Sequence, residues 1–266
     1  MKEWMYHLPS LVIVLVLAVF MVLALEFGFR LGHRQQAALS SSSKEQINGI
    51  QASLLGILAL LLGFTFSLAL QRFDSRSVAE VQEANTIGTA WLRAHLLPDE
   101  VQLQSLVLWQ RYIDVRVESA GVALNDVATR QQLLAQGNEI LNQLWLQGIA
   151  AAKMNNSPVD TGLYLQALNE AIDAFGERSA ELNRHVPELI LWLLYVTFVL
   201  TGGVVGYAAG AGGHRPPNVS YIMILLIIIL NFIIIDLDRP RRGFIQVDQS
   251  SMLELQQQMA KGLLSK

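Results

Sequence analysis

Four long stretches of the chain contain no Asp, Glu, Lys or Arg, and this feature constrains the fold more than any other. They are residues 4–25, 46–71, 189–214 and 216–235 of the 266-residue sequence. A helix needs ~20 apolar residues to cross a hydrocarbon core of ~30 Å, so each stretch is long enough. Their apolar residues do not alternate, which excludes the strands of a membrane barrel. We predict four transmembrane helices, at residues 9–30, 49–71, 188–211 and 218–236.

The composition agrees with a protein that is immersed in lipid. Apolar residues make up 52% of the chain and charged residues only 15%, whereas soluble domains carry about 25% charge. The net charge of −3 argues against a nucleic-acid partner, because such proteins rely on basic surfaces. The chain has no cysteine, which excludes disulfides and thiolate metal sites. The partner that the sequence predicts is therefore the lipid bilayer.

The spans divide the chain into four segments of an all-α, polytopic membrane protein. We expect the first span to remain as an anchor, because its apolar run is longer than that of a signal peptide and no small-residue cleavage site precedes Glu26. The predicted segments are residues 1–71 with helices 1 and 2, an inserted cytoplasmic helical bundle at 72–186, residues 187–238 with helices 3 and 4, and a basic segment with an amphipathic helix at 239–266.

Basic residues near the span ends predict the orientation. Four spans place both termini and residues 72–186 on one side, and that side carries more Lys and Arg: Lys2, Arg72, Arg76, Arg178, Arg184, Arg239, Arg241 and Arg242, against Arg30, Arg34, Lys44 and Arg215 on the other. Because cytoplasmic flanks are rich in Lys and Arg, we predict that residues 72–186 and both termini are cytoplasmic. The first span alone would favour the opposite orientation, since Arg30 and Arg34 follow it.

The inserted segment has 9 basic and 14 acidic residues, a net charge of −5, and a helical pattern throughout. We predict helices at 72–96, 98–121, 125–153 and 159–186. Pro98, followed by Asp99 and Glu100, is a favourable helix start. No breaker separates Gly49 from His95, which predicts one unbroken helix from the second span into the insertion. The last predicted helix carries a heptad stripe and leads towards the third span, and the stripe consists of Leu165, Leu168, Ile172, Phe175, Ser179, Leu182 and Val186.

Small residues mark the helix faces that we expect to touch other helices. Lipid gives no hydrophobic drive between helices, so small residues that let backbones approach become the contact surfaces. Two such faces recur at helical spacing, and they remain candidates for packing within the chain, for subunit contacts or for a pore lining. They consist of Gly49, Ser53, Gly56, Gly63 and Ser67 in the second span, and Gly202, Gly206 and Gly210 in the third.

Charged residues at the span ends are the other candidates. Glu26 lies one turn before Arg30, which fits either a local ion pair or a charge at a pore mouth. A second cluster ends the fourth span, and its aspartates need partners, among the arginines or elsewhere, for example Arg72 or Arg76. Structural ion pairing and an ion-binding or gating collar both remain open for this cluster, which consists of Asp236, Asp238, Arg239, Arg241 and Arg242.

No motif for catalysis or cofactor binding is present in the sequence. The five histidines are scattered without metal-ligand spacing, and there is no nucleophile elbow, phosphate loop or dinucleotide fingerprint. We therefore predict no enzyme activity, no catalytic residue, no metal site and no cofactor.

Five blocks of the sequence resemble the bacterial bestrophin-like domain family, a family of uncharacterised membrane proteins. They follow one another along the chain, at 26–28, 61–76 (LLGFTFSLALQRFDSR), 83–98 (EANTIGTAWLRAHLLP), 168–173 (LNEAID) and 235–247 (IDLDRPRRGFIQV). The resemblance implies four transmembrane helices around a cytoplasmic helical insertion, and a bacterial inner membrane as the location. True bestrophins are pentameric ion channels, but their pore signature has no clear counterpart here, so no pore residue is transferred.

Two functions follow as hypotheses. The first is a homo-oligomeric ion channel for inorganic ions, with the second span lining a pore that the cytoplasmic helices extend. Four spans in one chain offer no aqueous path, so a pore would require several protomers, and the acidic insertion would favour cations. The alternative is a non-conducting membrane scaffold or sensor, whose cytoplasmic helices bind a partner.

Overall fold

The computed structural model describes residues 9–122, 126–239 and 244–264, and these residues form helices and turns. The eight α-helices of the described residues are α1 (Ser10–Gln35), α2 (Ser41–Ala94), α3 (Asp99–Gly121), α4 (Val127–Met154), α5 (Leu163–Asn183), α6 (Glu188–Ala211), α7 (Asn218–Asp238) and α8 (Ser250–Leu264). A 3-10 turn at Gln36–Ala38 and a π-helical turn at Pro158–Gly162 connect helices. The predicted all-α fold is confirmed, and α1, α2, α6 and α7 contain segments long and apolar enough to cross a membrane.

Prolines set the start of four helices. Pro9, Pro98, Pro187 and Pro217 directly precede α1, α3, α6 and α7, each with an extended backbone. A proline has no N–H to satisfy and fixes its own φ, so it fits where a helix begins. The predicted start at Pro98 is therefore correct to within one residue. Asp126 starts α4 differently, because its carboxylate accepts the backbone N–H of Thr129 at 3.1 Å.

The residues of α2 form one helix from Ser41 to Ala94, as the absence of a breaker predicted. At the other end of the insertion, the helix predicted at 159–186 ends three residues earlier than predicted. Helix α5 ends at Asn183, and α6 begins only at Glu188. The extended conformation of Arg184, followed by that of Pro187, interrupts the helical hydrogen bonds.

The chain divides into two compact units, and the first contains the membrane-length segments. It comprises residues 1–72, 185–239 and 243–245. Within it, α1 packs side by side with α6 and also contacts α7. Side chains on the opposite sides of these helices are largely exposed in the single chain, for example Leu15, Phe27, Leu193 and Leu226, as lipid-facing residues would be.

The second unit comprises residues 73–184, 240–242 and 246–266. Its core is formed by side chains of the second half of α2 and of α3, α4, α5 and α8, with Trp109, Tyr112, Leu144 and Tyr164 fully buried. Met252 and Met259 belong to the same core. The sequence allowed the C-terminal amphipathic helix to lie on the membrane surface or on the helical insertion, and α8 packs on the insertion.

Candidate pore helix and charged sites

The glycines of α6 lie directly against the backbone of α1. A Cβ atom added at Gly206 would lie 1.9 Å from the carbonyl oxygen of Leu25, and one at Gly210 would lie 2.2 Å from that of Phe29. At Gly202 the corresponding distance to a carbonyl oxygen of α1 is 2.9 Å. Any side chain at Gly206 or Gly210 would have to displace backbone, so the Gly202, Gly206 and Gly210 face is occupied within the protomer.

Helix α1 contributes its own glycines to this contact. A Cβ at Gly28 would lie 2.0 Å from the carbonyl oxygen of Gly203, and one at Gly32 would lie 2.2 Å from that of Tyr207. Gly28 and Gly32 are four residues apart, the small-residue spacing that favours close helix pairs in membranes. The sequence analysis did not single out this pair, although its spacing was a sufficient signal.

The glycines of α2 have different surroundings. No heavy atom lies within 4 Å of a Cβ added at Gly49, Gly56 or Gly63. Ser53 and Ser67 lie on the same exposed face, and the Ser53 hydroxyl donates to the carbonyl of Gly49 in its own helix. This small-residue face of α2 is therefore uncovered within the protomer.

The continuation of α2 in the second unit also has an exposed face. Asp74 and Asn85 are exposed there, and Val78 and Val81 lie between them with 62% and 43% of their surface accessible. An open groove of about 510 Å³ runs along this part of the helix, and Glu170 of α5 forms its other side. Exposed valines beside polar residues are unusual on a solvated helix, because that face normally carries charge.

Glu26 and Arg30 form a local ion pair. The Arg30 Nε lies 2.7 Å from a Glu26 carboxylate oxygen, with 71% of the Arg30 side chain and 37% of the Glu26 side chain accessible. An exposed pair one helical turn apart contributes only about 0.3–0.5 kcal/mol.

The carboxylates of the acidic residues at the end of α7 accept hydrogen bonds from backbone N–H groups. The Asp238 carboxylate accepts the N–H of Val186 at 3.0 Å, just before α6, and the Asp236 carboxylate accepts the N–H of Ile245 at 2.8 Å. Arg239 donates to the Ser10 hydroxyl at 3.1 Å. These contacts join the ends of α1, α6 and α7. Arg241 and Arg242, the other predicted members of the cluster, lie outside the described residues.

Arg76 of α2 contacts the end of α5. Its guanidinium donates to the carbonyl oxygens of Glu181, at 3.2 Å, and Arg184. Both acceptors belong to the end of α5, so this buried arginine binds the C-terminal carbonyls of that helix; the Glu181 carbonyl also accepts the backbone N–H of Arg184 at 3.3 Å.

A buried ionic cluster in the second unit was missed by the sequence analysis. The Glu83 side chain is fully inaccessible. Its two carboxylate oxygens accept hydrogen bonds from the Arg116 guanidinium, with nitrogen–oxygen distances of 2.7 and 2.9 Å. Arg178 donates to Glu83 at 2.7 Å, and the Tyr112 hydroxyl donates to Glu83 at 3.3 Å. Residues of α2, α3 and α5 thus meet at one carboxylate, and Arg178 also donates to the amide oxygen of Gln249 at 2.6 Å.

The charges of the cluster keep Glu83 ionised. Burial alone would raise the pKa of Glu83, but the charges and hydrogen bonds of Arg116 and Arg178 outweigh burial and hold this pKa below its ordinary value. Burial and the nearby Glu83 charge raise the pKa of the Tyr112 hydroxyl well above its ordinary value, so the hydroxyl remains a donor. The sequence contained a signal, because Arg116 follows Trp109 and Tyr112 on an otherwise buried stripe of α3.

The described residues contain no group of three His, Asp or Glu side chains that could hold a metal ion. The candidate functional features are therefore the buried ion pairs of the second unit and the uncovered face of α2.

Comparison with known proteins identifies the same architecture. A bacterial bestrophin homologue from Klebsiella pneumoniae matches with a TM-score of 0.65 and 16% identity, covering 95% of this chain and 96% of that one. A mutant of a Klebsiella pneumoniae homologue matches with a TM-score of 0.66 and 17% identity, over 95% and 97% of the two chains. A further structure, described as a membrane protein, matches with a TM-score of 0.65 and 16% identity, over 97% and 98%.

These structural matches are below one fifth identity and establish the fold. No curated protein sequence matches the chain. The family model of the Bestrophin-like domain matches residues 9–252, nearly the whole chain. The resemblance seen in the sequence blocks is thereby confirmed, and the chain belongs to the Bestrophin-like domain family.

Proposed function

We propose that this protein is a homo-oligomeric ion channel whose pore is lined by α2. The observation that carries the proposal is the uncovered face of α2, where a Cβ added at Gly49, Gly56 or Gly63 would meet no atom within 4 Å beyond the adjacent turns of α2 itself. A helix face of small and polar residues gains little from contact with lipid tails. We therefore expect this face to contact another protomer or to line a water-filled path.

The spacing of the exposed residues supports one lining face. In the first unit, residues at steps of three and four along α2 are all exposed, namely Gly49, Ser53, Gly56, Leu60, Gly63 and Ser67. This is the repeat of one helix face. Copies of this face arranged around an axis would give a narrow path with hydroxyl and backbone groups, and with Leu60 as an apolar constriction.

The second unit supplies a matching continuation by the same spacing. Asp74, Val78, Val81 and Asn85 are exposed on α2 at steps of four, three and four. In an oligomer, Asp74 would form a ring of negative charge, which favours cations, and the two valines would form an apolar ring. The net charge of −5 over residues 72–186 acts in the same direction.

We place the protein in a bacterial inner membrane, with both termini and residues 72–186 in the cytoplasm. The basic residues that flank α2, α6 and α7 on that side support the orientation. The homologues of known structure from Klebsiella pneumoniae support a bacterial setting.

Flux measurements on purified protein test the channel. The chain contains no cysteine, so single cysteines can be placed at will and labelled from water. We expect Na⁺ or K⁺ flux in protein-containing vesicles, and we expect a thiol-reactive cation to block it in Gly56→Cys and Ser67→Cys. Leu62→Cys is the matched control on the same helix, because Leu62 is buried within the protomer and should remain unreactive.

Absence of flux above protein-free vesicles, over a range of pH and Ca²⁺ concentrations, would count against conduction. Flux that is blocked through Leu62→Cys but not through Gly56→Cys would retain the channel and reject the Gly56 face of α2 as its lining.

A non-conducting scaffold or sensor is the second candidate. Apolar side chains exposed on the second unit favour it, among them Leu146 at 63% and Val159 at 67%, because such side chains suit a protein partner. Particle mass and symmetry in detergent separate the two functions. A ring with an open axis supports the channel, whereas a monomer or a closed dimer supports the scaffold.

A further inference from the structure

The C-terminal helix α8 covers a carboxyl group that has no cationic partner of its own. Glu80 of α2 is only 1% exposed, and a carboxylate oxygen accepts the backbone N–H of Met252 at 3.3 Å. Met252 lies in the first turn of α8. Within the described residues Glu80 forms no salt bridge, so its main support is the beginning of a helix that could leave.

The arginines nearby are committed to other groups. Arg116 binds both oxygens of Glu83. Arg178 donates one nitrogen to Glu83 and another to Gln249. Of these two buried carboxyl groups of α2, Glu83 therefore has two guanidinium partners, and Glu80 has the N-terminal turn of α8.

Helix α8 is seated mainly by apolar contacts and by few polar ones. Met252 and Met259 are buried in the core of the second unit. A Cβ added at Gly262 would lie 2.6 Å from the ring of Trp91, so this end of α8 lies flat on the indole. At its exposed edge, the Gln256 amide donates to Asp114 at 2.7 Å. If α8 departed, the Glu80 carboxyl group would face water.

The charged groups around Glu80 determine which ionisation state favours the docked helix. Burial raises the pKa of Glu80; the Arg178 charge, the Met252 N–H and the Ser251 hydroxyl oppose this, and the Asp248 carboxylate adds to it. On α2 itself the flanking charges are Arg76, bound to carbonyls of α5, and Glu83; α3 contributes Arg116, which is bound to Glu83. The net result is that the pKa of Glu80 is raised.

We propose that α8 is a proton-linked strap, which docks more tightly when Glu80 is protonated and less tightly when Glu80 is ionised. Docking buries the carboxyl group, and an ionised carboxyl group loses more hydration than a neutral one. The neutral group still accepts the Met252 N–H through its carbonyl oxygen. Undocking returns the group to water, where the ionised form is stable.

The direction of the pH dependence follows from this linkage. A raised pKa in the docked state gives a docking advantage that is fully present below the ordinary value of 4.5 and is lost as pH rises through the docked value. Each unit by which docking raises the pKa corresponds to about a tenfold change in the docking equilibrium. The strap is therefore expected to loosen as pH rises above 4.5 and through the docked value.

A fluorescence experiment on the full chain in detergent measures α8 docking directly. Because the chain has no cysteine, Gln258→Cys gives a single exposed site on α8, one turn before Gly262. A bimane attached there is quenched by Trp91 when α8 is docked, and Trp91→Phe removes the quenching as a check. The urea concentration at half-loss of quenching is recorded from pH 4 to pH 8.

We expect this midpoint to fall as pH rises. Glu80→Gln, which stays neutral, should keep the high midpoint at every pH. Glu254→Gln is the matched control, because Glu254 is exposed on α8 and should leave the pH dependence unchanged. A pH-independent midpoint in the unmodified sequence, or an undiminished pH dependence in Glu80→Gln, would overturn the proposal. None of these readouts requires conduction, so the result is independent of the proposed channel.

Discussion

The guanidinium of Arg116 binds both carboxylate oxygens of Glu83, with nitrogen–oxygen distances of 2.7 and 2.9 Å. Only 3% of the Arg116 side chain is accessible and none of the Glu83 side chain. A buried bidentate pair is geometrically specific. It leaves each charge dependent on its partner, because removal of one partner leaves an uncompensated buried charge.

Glu83→Gln should therefore destabilise the second unit strongly. The substitution preserves shape but leaves two buried guanidinium groups without their shared anion, and breaking a buried pair costs about 3–5 kcal/mol. Thermal unfolding in detergent measures the loss. Glu177→Gln, an exposed position on α5, should change the midpoint little, and equal stability of the two variants would contradict the role assigned to Glu83.

The same carboxylate predicts sensitivity to acid. The pKa of Glu83 is lowered from 4.5, so its contribution to the free energy of unfolding is fully present above about pH 4.5 and decreases as pH falls through the folded value. Urea unfolding monitored by tryptophan fluorescence should show this decrease as pH falls below 4.5. The decrease should be smaller in Glu83→Gln, and an identical decrease would assign it to other carboxylates.

The sequence predicted the fold well and the buried ionic cluster not at all, and particular residues explain the difference. An apolar stretch of about 20 residues without charge has few alternatives to a transmembrane helix, so α1, α6 and α7 could be predicted. The heptad stripe on α5 was less informative. Leu168 and Phe175 are buried as the stripe requires, but Leu165 and Ile172 are only partly buried, and Ala167, Ala171, Ala174 and Arg178 complete the buried face.

Arg178 and Glu83 were missed because a one-dimensional pattern treats a charge as solvated. Their burial depends on the meeting of α2, α3 and α5, whose residues are 33 and 95 positions apart along the chain. The two glycine faces show the same limit. Helical spacing of the glycines in both α2 and α6 did not reveal that a side chain at Gly206 would meet the backbone of α1, while one at Gly56 would meet open space.

Gly206→Ala should weaken the packing of α1 on α6. The added methyl group would lie 1.9 Å from the Leu25 carbonyl oxygen, and backbone cannot move aside as a flexible side chain could. Overpacking of this kind costs about 1–3 kcal/mol. Gly203→Ala is the matched control on the same helix, because its Cβ would lie 3.8 Å from the Ala24 carbonyl oxygen, an ordinary contact. Thermal stability in detergent should fall for Gly206→Ala only.

Gly56→Leu tests the uncovered face of α2. Beyond the adjacent turns of α2, no atom of the protomer lies within 4 Å of the added Cβ, so the substitution should not destabilise the protomer. Leucine also has a higher helix propensity than glycine, which should slightly stabilise α2. In an oligomer with α2 at its axis, the leucine would narrow the path or disturb the subunit contact. We expect reduced ion flux or an altered particle mass at unchanged monomer folding. Unchanged flux and mass would place this face towards lipid.

Asp74→Asn tests the cation preference of the proposed pore. Asp74 is exposed on α2, four residues before Val78 on the same face, so every protomer would contribute one carboxylate to a ring around the axis. A ring of carboxylates raises the local concentration of cations, and its removal should shift the reversal potential in a KCl gradient towards the chloride value. Asp99→Asn, at the start of α3 and exposed, controls for a general change in charge. A channel with unaltered selectivity in Asp74→Asn would keep conduction and exclude this carboxylate from the ion path.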